Sequence, residues 1–249
     1  MPFVDTHCHI YEFKDVRGVI KKALDKGVYK IIAVGDDPES NKQVISIYQE
    51  YPNVVLPSIG YHPWEAAKAT KEDIEEFKKQ VEENLEVIVG LGEVGLDKRF
   101  VRGEEKLKRQ KMVFNVAVEL AREYDLPLNI HSMKTEREIL NILLKKEITK
   151  AIFHWYTGSY EVLRKIIEAG YYISVNLSLR YSSRAKGVAS RTPLGLILLE
   201  SDSPYYFKGE YSTPEKVIKV AELLAGVKGV DINTVEDVTT RSAQLLYSI

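Results

Sequence analysis

The sequence contains a single cysteine, Cys8, so no disulfide can form within the chain and a zinc site built from several cysteines is excluded. It also lacks a run of 18 apolar residues, which excludes a membrane-spanning helix. Its amino terminus has neither the basic nor the apolar segment of a secretory signal peptide. From these absences we expect a cytoplasmic protein that does not bind membranes.

An excess of charge of one sign is absent as well, since 35 Lys and Arg residues stand against 36 Asp and Glu residues. The net charge of -1 gives no whole-molecule attraction to nucleic acid or membranes. The 249 residues are 45% hydrophobic and 29% charged, which is typical of globular proteins and excludes disorder. No linker or internal repeat divides the chain, so we expect one domain over residues 1–249.

Short apolar segments alternate with longer amphipathic ones along the chain. The apolar segments predict eight buried strands, at 3–6, 30–34, 54–59, 87–91, 127–130, 151–153, 171–175 and 196–200. The amphipathic segments predict helices at 15–26, 39–49, 71–84, 104–124, 135–145, 160–169, 181–191, 214–225 and 234–247. This alternation favours an α/β fold of the (β/α)8 TIM-barrel type, and a doubly wound open sheet is the alternative.

Histidine is scarce, yet every histidine lies where a predicted strand ends, as do two carboxylates. These residues are His7, His9, His62, Glu93, His131, His154 and Asp202. In a parallel barrel the carboxyl ends of all strands face one mouth, where active sites are built. His7 and His9 are two residues apart, so in an extended strand they point to the same side and can share an ion. Four histidines with two carboxylates exceed the needs of one tetrahedral ion and suit two divalent ions that share a carboxylate.

Six short motifs resemble those of the TatD-type metal-dependent deoxyribonucleases, a branch of the amidohydrolase-like barrels. In chain order they are DTHCH at 5–9, GYHP at 60–63, GEVGLD at 92–97, LPLNIH at 126–131, FHWYTGS at 153–159 and LESDSPY at 199–205. The segment at 239–247 is similar to the last helix of that family. The resemblance implies a divalent-metal-dependent hydrolase with two ions, Mg, Mn or Zn, that acts on DNA as a 3'-5' exonuclease.

The resemblance also implies a role for each residue. The implied ligands are His7, His9 and Asp202 for one ion, His131 and His154 for the other, and Glu93 for both. Two ions can activate a water and stabilise both reacting oxygens of a phosphodiester. Asp202 would accept the proton of that water as general base, so Glu93 and Asp202 are the candidate catalytic residues.

Basic residues are concentrated in two segments. Residues 98–111 include seven basic and two acidic side chains, and residues 169–199 include four basic side chains and no acidic one. Both segments begin near predicted strand ends, so their first residues are candidates for phosphate contacts. The predicted substrate contacts are His62, Lys98, Arg99 and Arg180, with Arg102 and Arg184 as further candidates. For each basic residue a solvated helix face is the alternative, and for His62 a structural turn.

Five aromatic residues beside the motifs could stack on bases or pack in the core: Trp64, Trp155, Tyr156, Tyr205 and Tyr206. Met133 stands where the family usually has arginine, which weakens the prediction of a nuclease more than that of a hydrolase. A related hydrolase of small phosphoesters, amides or lactones is therefore the alternative function. A binding module without catalysis is a third, and the complete ligand set argues against it.

Overall fold

The computed structural model describes residues 2–249, which form a barrel of eight parallel strands surrounded by helices. The strands are β1 (Phe3–Cys8), β2 (Val28–Val34), β3 (Val55–Tyr61), β4 (Gly90–Asp97), β5 (Leu128–Met133), β6 (Ala151–Phe153), β7 (Tyr172–Val175) and β8 (Ile197–Leu199). They pair in chain order, and a parallel bridge from Cys8 to Ser203 joins the first strand to the segment after the last. The predicted (β/α)8 barrel is confirmed, and the open-sheet alternative is wrong.

Helices follow the strands on the outside of the barrel. They are α1 (Val16–Asp25), α2 (Pro38–Glu50), α3 (Pro63–Ala66), α4 (Lys71–Glu83), α5 (Glu104–Tyr124), α6 (Glu136–Lys145), α7 (Tyr160–Glu168), α8 (Ser183–Arg191), α9 (Val217–Lys228) and α10 (Ile232–Tyr247). Local sequence fixes several starts. At α4, Thr70 accepts from the Asp73 backbone N–H and the Asp73 carboxylate accepts from the Thr70 N–H, a reciprocal cap.

The fourth strand is the main difference from the sequence prediction. The observed strand spans Gly90–Asp97 and overlaps the predicted strand at 87–91 only in residues 90 and 91. Gly92 and Gly95 interrupt the apolar pattern, because these positions have φ of 158° and 153° and leave no room for a Cβ. As a consequence Glu93 lies inside the strand, where the sequence prediction placed it after the strand.

Two small elements are also absent from the sequence prediction. Helix α3 has four residues and follows β3 directly, so it is too short to show helical periodicity. The hairpin strands β9 (Tyr206–Phe207) and β10 (Glu210–Tyr211) have two residues each. Both elements lie beyond carboxyl ends of barrel strands, where they border the mouth.

Apolar side chains fill the end of the barrel opposite the mouth. One buried cluster joins residues from five strands, Val4, Ile32, Leu56, Ile152 and Leu198, to Ala243, Leu246 and Tyr247 of α10. Helix α10 therefore covers this end, which leaves the carboxyl ends of the strands as the open one. Within residues 2–249 no helix combines the length and apolar character needed to cross a membrane.

Candidate metal centre

The six predicted ligands lie together at the open end of the barrel. His7 and His9 come from β1 and the residue after its end, Glu93 from β4, His131 from β5, His154 from the end of β6, and Asp202 from the segment after β8. Backbone pairing continues past the strands and fixes these positions. The Asp202 N–H donates to the carbonyl of His7 at 3.0 Å, and the His9 N–H donates to that of Ser203 at 2.7 Å.

Glu93 is the centre of the cluster, with one carboxylate oxygen on each side. Its Oε2 lies 3.2 Å from His7 Nε2 and 3.5 Å from His9 Nε2. Its Oε1 lies 2.7 Å from His131 Nδ1 and 3.8 Å from His154 Nε2. Glu93 therefore offers one carboxylate oxygen to each of two groups of histidines.

Asp202 approaches the same histidines from the opposite side of the barrel mouth. Its Oδ1 lies 3.8 Å from His7 Nε2, 3.9 Å from His154 Nε2 and 4.0 Å from His9 Nε2. The rings of His7 and His154 are stacked with centroids 3.8 Å apart. His154 thus groups with His7 and Asp202 in this arrangement, so the division of ligands between two ions stays a prediction.

His62 lies closer to the cluster than a residue of the pocket wall would. Its Nε2 is 3.6 Å from Glu93 Oε1, and its ring contacts that of His131 edge to face at 4.8 Å. Its Nδ1 accepts from the backbone N–H of Trp64 at 3.3 Å, at the start of α3. His62 therefore combines the structural turn with a nitrogen aimed at the site.

The donor set has the chemistry of a cation site. His7 Nε2 and His9 Nε2 lie 3.2 Å apart, so one proton at most fits between them, whereas a cation can accept a lone pair from both. Glu93 and Asp202 are buried beside them, and buried carboxylates need a cationic partner. Imidazole nitrogen with carboxylate oxygen is a ligand combination that zinc and manganese accept.

Four histidines have their second ring nitrogen close to an oxygen atom of another side chain, three of them in hydrogen bonds and His9 at ion-pair distance only. The pairs are His7 Nδ1 with Asn129 Oδ1 at 3.0 Å, His9 Nδ1 with Asp36 Oδ2 at 3.2 Å, His131 Nε2 with Asp97 Oδ2 at 3.1 Å, and His154 Nδ1 with Glu200 Oε2 at 2.9 Å. Metal-binding histidines are oriented in this way in known sites. The other nitrogen of each ring faces the cluster, where those of His7, His9 and His131 contact one another or Glu93.

These four acceptors were missed in the sequence interpretation, although three of them lie inside the quoted motifs. Asp97, Asn129 and Glu200 belong to the motifs at 92–97, 126–131 and 199–205. Asp36 follows β2. No site residue is predicted near that strand, whereas each of the other five among the first six strands has at least one. Asp97, Asn129 and Glu200 each lie within four residues of a predicted ligand, which was the available signal, whereas Asp36 is distant from every ligand in the sequence.

Burial and neighbouring charges shift the titration of these groups. Burial raises the pKa of Asp202 to about 6, even though the adjacent histidines oppose the shift. Burial also raises the pKa of Glu93, but the surrounding histidines outweigh it and hold that pKa well below its usual range. Burial lowers the pKa of His62 to about 4, so this ring is neutral at pH 7.

The predicted phosphate contacts lie at the rim of the mouth and have protein partners. Lys98 forms an ion pair with Glu138, and Arg180 forms one with Glu210. The guanidinium of Arg99 lies 5.0 Å from the ring centroid of Phe100. A phosphate would have to compete with or join these partners, so the substrate contacts stay predictions.

The candidate aromatic residues divide into exposed and buried ones. Trp64 and Phe100 are 45% and 59% exposed, with ring centroids 5.6 Å apart, and Trp64 Nε1 donates to Asp97 Oδ2 at 2.8 Å. Tyr205 is 46% exposed, and its ring centroid lies 5.3 Å from that of Trp155. Tyr156 is buried and its hydroxyl donates to the Ser159 carbonyl, so for this residue core packing is the correct alternative.

Comparison with known proteins gives consistent matches over nearly the whole chain. A family described as TatD related DNase matches residues 4–248. The human protein named deoxyribonuclease TATDN3 is 30% identical over 98% of this chain and 94% of its own. Bacillus subtilis YabD, named as a metal-dependent hydrolase, is also 30% identical, over 98% of each chain.

Solved structures give the same picture of the fold. The crystal structure of Escherichia coli YjjV, a TatD homologue, aligns with a TM-score of 0.90 and 25% identity over 99% of this chain and 98% of that one. The phosphotriesterase homology protein of the same organism, solved with phosphate in its active site, aligns with a TM-score of 0.74. Its identity is 14% over 99% of this chain and 98% of that one, so that match supports the barrel alone.

Proposed function

Since the chain belongs to the family of TatD-related DNases, which are metal-dependent hydrolases, we propose that it cleaves phosphodiester bonds of DNA with two divalent cations. The observation that carries the proposal is the position of Glu93 between two groups of histidines. Its Oε2 lies 3.2 Å from His7 Nε2, and its Oε1 lies 2.7 Å from His131 Nδ1. One carboxylate can in this way serve two ions on opposite sides.

The chain's own residues have distinct tasks in this proposal. Bound Mg, Mn or Zn ions would supply Lewis-acid activation of a water and of the phosphodiester oxygens. Asp202 accepts the proton of the attacking water, because burial brings the pKa of its carboxyl to about 6, close to neutral pH. His62 is neutral, and its Nε2 can donate a hydrogen bond to a phosphoryl oxygen.

The rim of the mouth is suited to an unpaired DNA end. Aromatic rings stand on two sides of the cluster, the exposed Trp64 and Phe100 on one side and the exposed Tyr205 against the half-buried Trp155 on the other. Aromatic faces stack on bases without selecting a sequence, and they reach only bases that are not paired. Family membership favours removal of nucleotides from the 3' end, as a 3'-5' exonuclease.

The test is digestion of single-stranded DNA labelled at its 5' end by protein supplied with Mg, Mn or Zn. We expect a ladder of products that shorten from the 3' end. Replacing Glu93→Gln or Asp202→Asn should lower the rate by roughly 100-fold or more, as loss of an essential charged group at a reacting centre does. The exposed substitution Glu72→Gln is the control and should leave the rate unchanged.

Two outcomes would contradict this proposal. Absence of digestion with every metal, in protein shown to bind metal, would overturn the nuclease assignment. Immediate release of the 5' label as a mononucleotide, without a ladder, would overturn the direction of cleavage.

A second candidate function keeps the metal centre and changes the substrate to a small phosphoester, amide or lactone. The specific observation is Met133 at the end of β5, two residues after His131, where the family usually has arginine. Loss of a cation there removes one attraction for a phosphate backbone. A panel of chromogenic phosphoesters, amides and lactones separates the two, because only this second function predicts faster turnover of a small molecule than of DNA.

A further inference from the structure

A basic groove of about 710 Å³ lies on the outside of the barrel between α5 and α6. We call it the α5–α6 groove. Its cationic lining residues are Lys98, Lys111, Lys134, Arg137 and Lys145. Glu136 and Glu138 are the acidic residues among its lining. Positive charge therefore predominates here, in a protein whose net charge is -1.

The groove begins at the rim of the mouth and leads away from it. Lys98 directly follows β4, the strand that carries Glu93. Lys134 directly follows β5 and is three residues beyond His131. From Lys134 to Lys145 the chain runs along α6, a distance of roughly 15 Å at the helical rise per residue. A strand with its end at the metal centre can thus continue along this groove.

Part of this positive charge is not neutralised within the protein, although Arg137 forms an ion pair with Glu161 at 2.7 Å. Lys98 and Lys111 share one carboxylate, that of Glu138. Lys134 and Lys145 have no ion-pair partner anywhere in residues 2–249. A polyanion would supply the missing partners.

The rest of the lining favours a nucleic-acid backbone over a protein partner. Asn115, Thr135 and Asn141 add neutral hydrogen-bonding groups, and Ile142 is the single aliphatic residue of the lining. Protein interfaces are centred on apolar and aromatic side chains, which this groove lacks. Phosphate oxygens, by contrast, are bound mainly by Lys, Arg and polar side chains.

We propose that the α5–α6 groove binds the sugar–phosphate backbone of a DNA strand whose end lies at the metal centre. This inference rests on the proposed function and adds a binding site outside the catalytic mouth. The groove contacts phosphates and not bases, so it lengthens the bound strand without selecting its sequence.

The test measures binding by fluorescence anisotropy to a labelled oligothymidylate of twenty nucleotides and to a trinucleotide, both with metal-free protein. The double variant Lys134→Glu with Lys145→Glu reverses the two unpaired cations. The matched control is Lys14→Glu with Lys26→Glu. These two exposed lysines flank α1 on the other side of the barrel and, within residues 2–249, likewise have no ion-pair partner.

Near physiological salt we expect the groove variant to bind the long strand at least about tenfold more weakly than the unsubstituted protein. The slope of log binding constant against log salt concentration should also become shallower by roughly 1.4, because two phosphate contacts with single-stranded DNA are lost. Binding of the trinucleotide should change less than twofold. Hydrolysis of bis(p-nitrophenyl) phosphate by the metal-loaded protein should also be unchanged, which shows that the variant is folded with an intact centre.

Equal affinity of the groove variant and the control for the long strand would overturn the inference. The inference would also be overturned if the unsubstituted protein did not bind DNA. It would likewise be overturned if the groove variant lost binding to polyglutamate but kept its binding to DNA. Groove-dependent DNA binding without DNA cleavage would support the groove and overturn the proposed function, so the two failures are distinguishable.

Discussion

Glu200 shows how single residues outside the ligand set orient the ligands. It is buried, accepts from His154 Nδ1 and from Asn176 Nδ2 at 2.9 Å each, and also accepts from the Ser174 hydroxyl. Burial disfavours its charge, but His154 outweighs this and keeps the pKa of Glu200 below its usual value. Glu200 therefore fixes the ring of His154 and leaves Nε2 directed at the cluster.

We expect Glu200→Gln to weaken metal binding by about 10–100-fold, as loss of the partner of a ligating histidine does in known sites. The amide preserves the size of the side chain but removes its charge and one acceptor oxygen. Competition with a fluorescent chelator measures the affinity, with the exposed Glu83→Gln as control. An unchanged affinity in a folded Glu200→Gln protein would show that His154 does not need this partner or does not bind metal.

For single residues, the sequence predicts the candidate metal ligands better than the side chains that orient those ligands. The ligands stand out because histidine is scarce and follows strand ends. The partners Asp36, Asp97 and Asn129 are common residue types, and their function depends on side-chain contacts between different strands. Contacts of that kind cannot be read from spacing along the chain.

Strand β4 is the element that connects the fold most directly to the site, because it carries both Glu93 and Asp97. Its glycines permit close packing on both neighbours. A Cβ built on Gly60 in β3 would lie 2.3 Å from the backbone of Gly92, and one on Gly95 would lie 1.9 Å from the carbonyl oxygen of His131. Apolar periodicity places this strand too early, at 87–91, because close backbone approach at its glycines replaces side-chain packing over the rest of the strand.

We predict that Gly95→Ala lowers the free energy of unfolding by roughly 1–3 kcal/mol or more, because the new methyl group must displace the backbone of β5 at His131. Urea unfolding measures the change. The control is Gly226→Ala inside α9, where a Cβ meets nothing within 4 Å. That substitution should raise stability by about 0.5–1 kcal/mol through helix propensity. Equal effects at the two positions would contradict the packing role of Gly95.

For the whole molecule, the sequence predicts the barrel fold but only part of the distribution of charge on its surface. Alternating strand and helix patterns predict the fold because each barrel strand is buried and each helix has one apolar face. The near-zero net charge concealed the α5–α6 groove. Its lysines come from two β-to-α connections and the two consecutive helices α5 and α6, which the packing of neighbouring β/α units brings side by side.

In the proposed function, phosphodiester hydrolysis requires two divalent cations held by the histidines and carboxylates around Glu93. The most direct measurement is a titration of Mn into metal-free protein, at protein concentrations well above the dissociation constants, with cleavage of labelled single-stranded DNA as the readout. We expect the rate to rise from none to a plateau that is reached at two equivalents of metal per chain. A plateau at one equivalent, or undiminished cleavage by the metal-free protein in the presence of chelator, would contradict it.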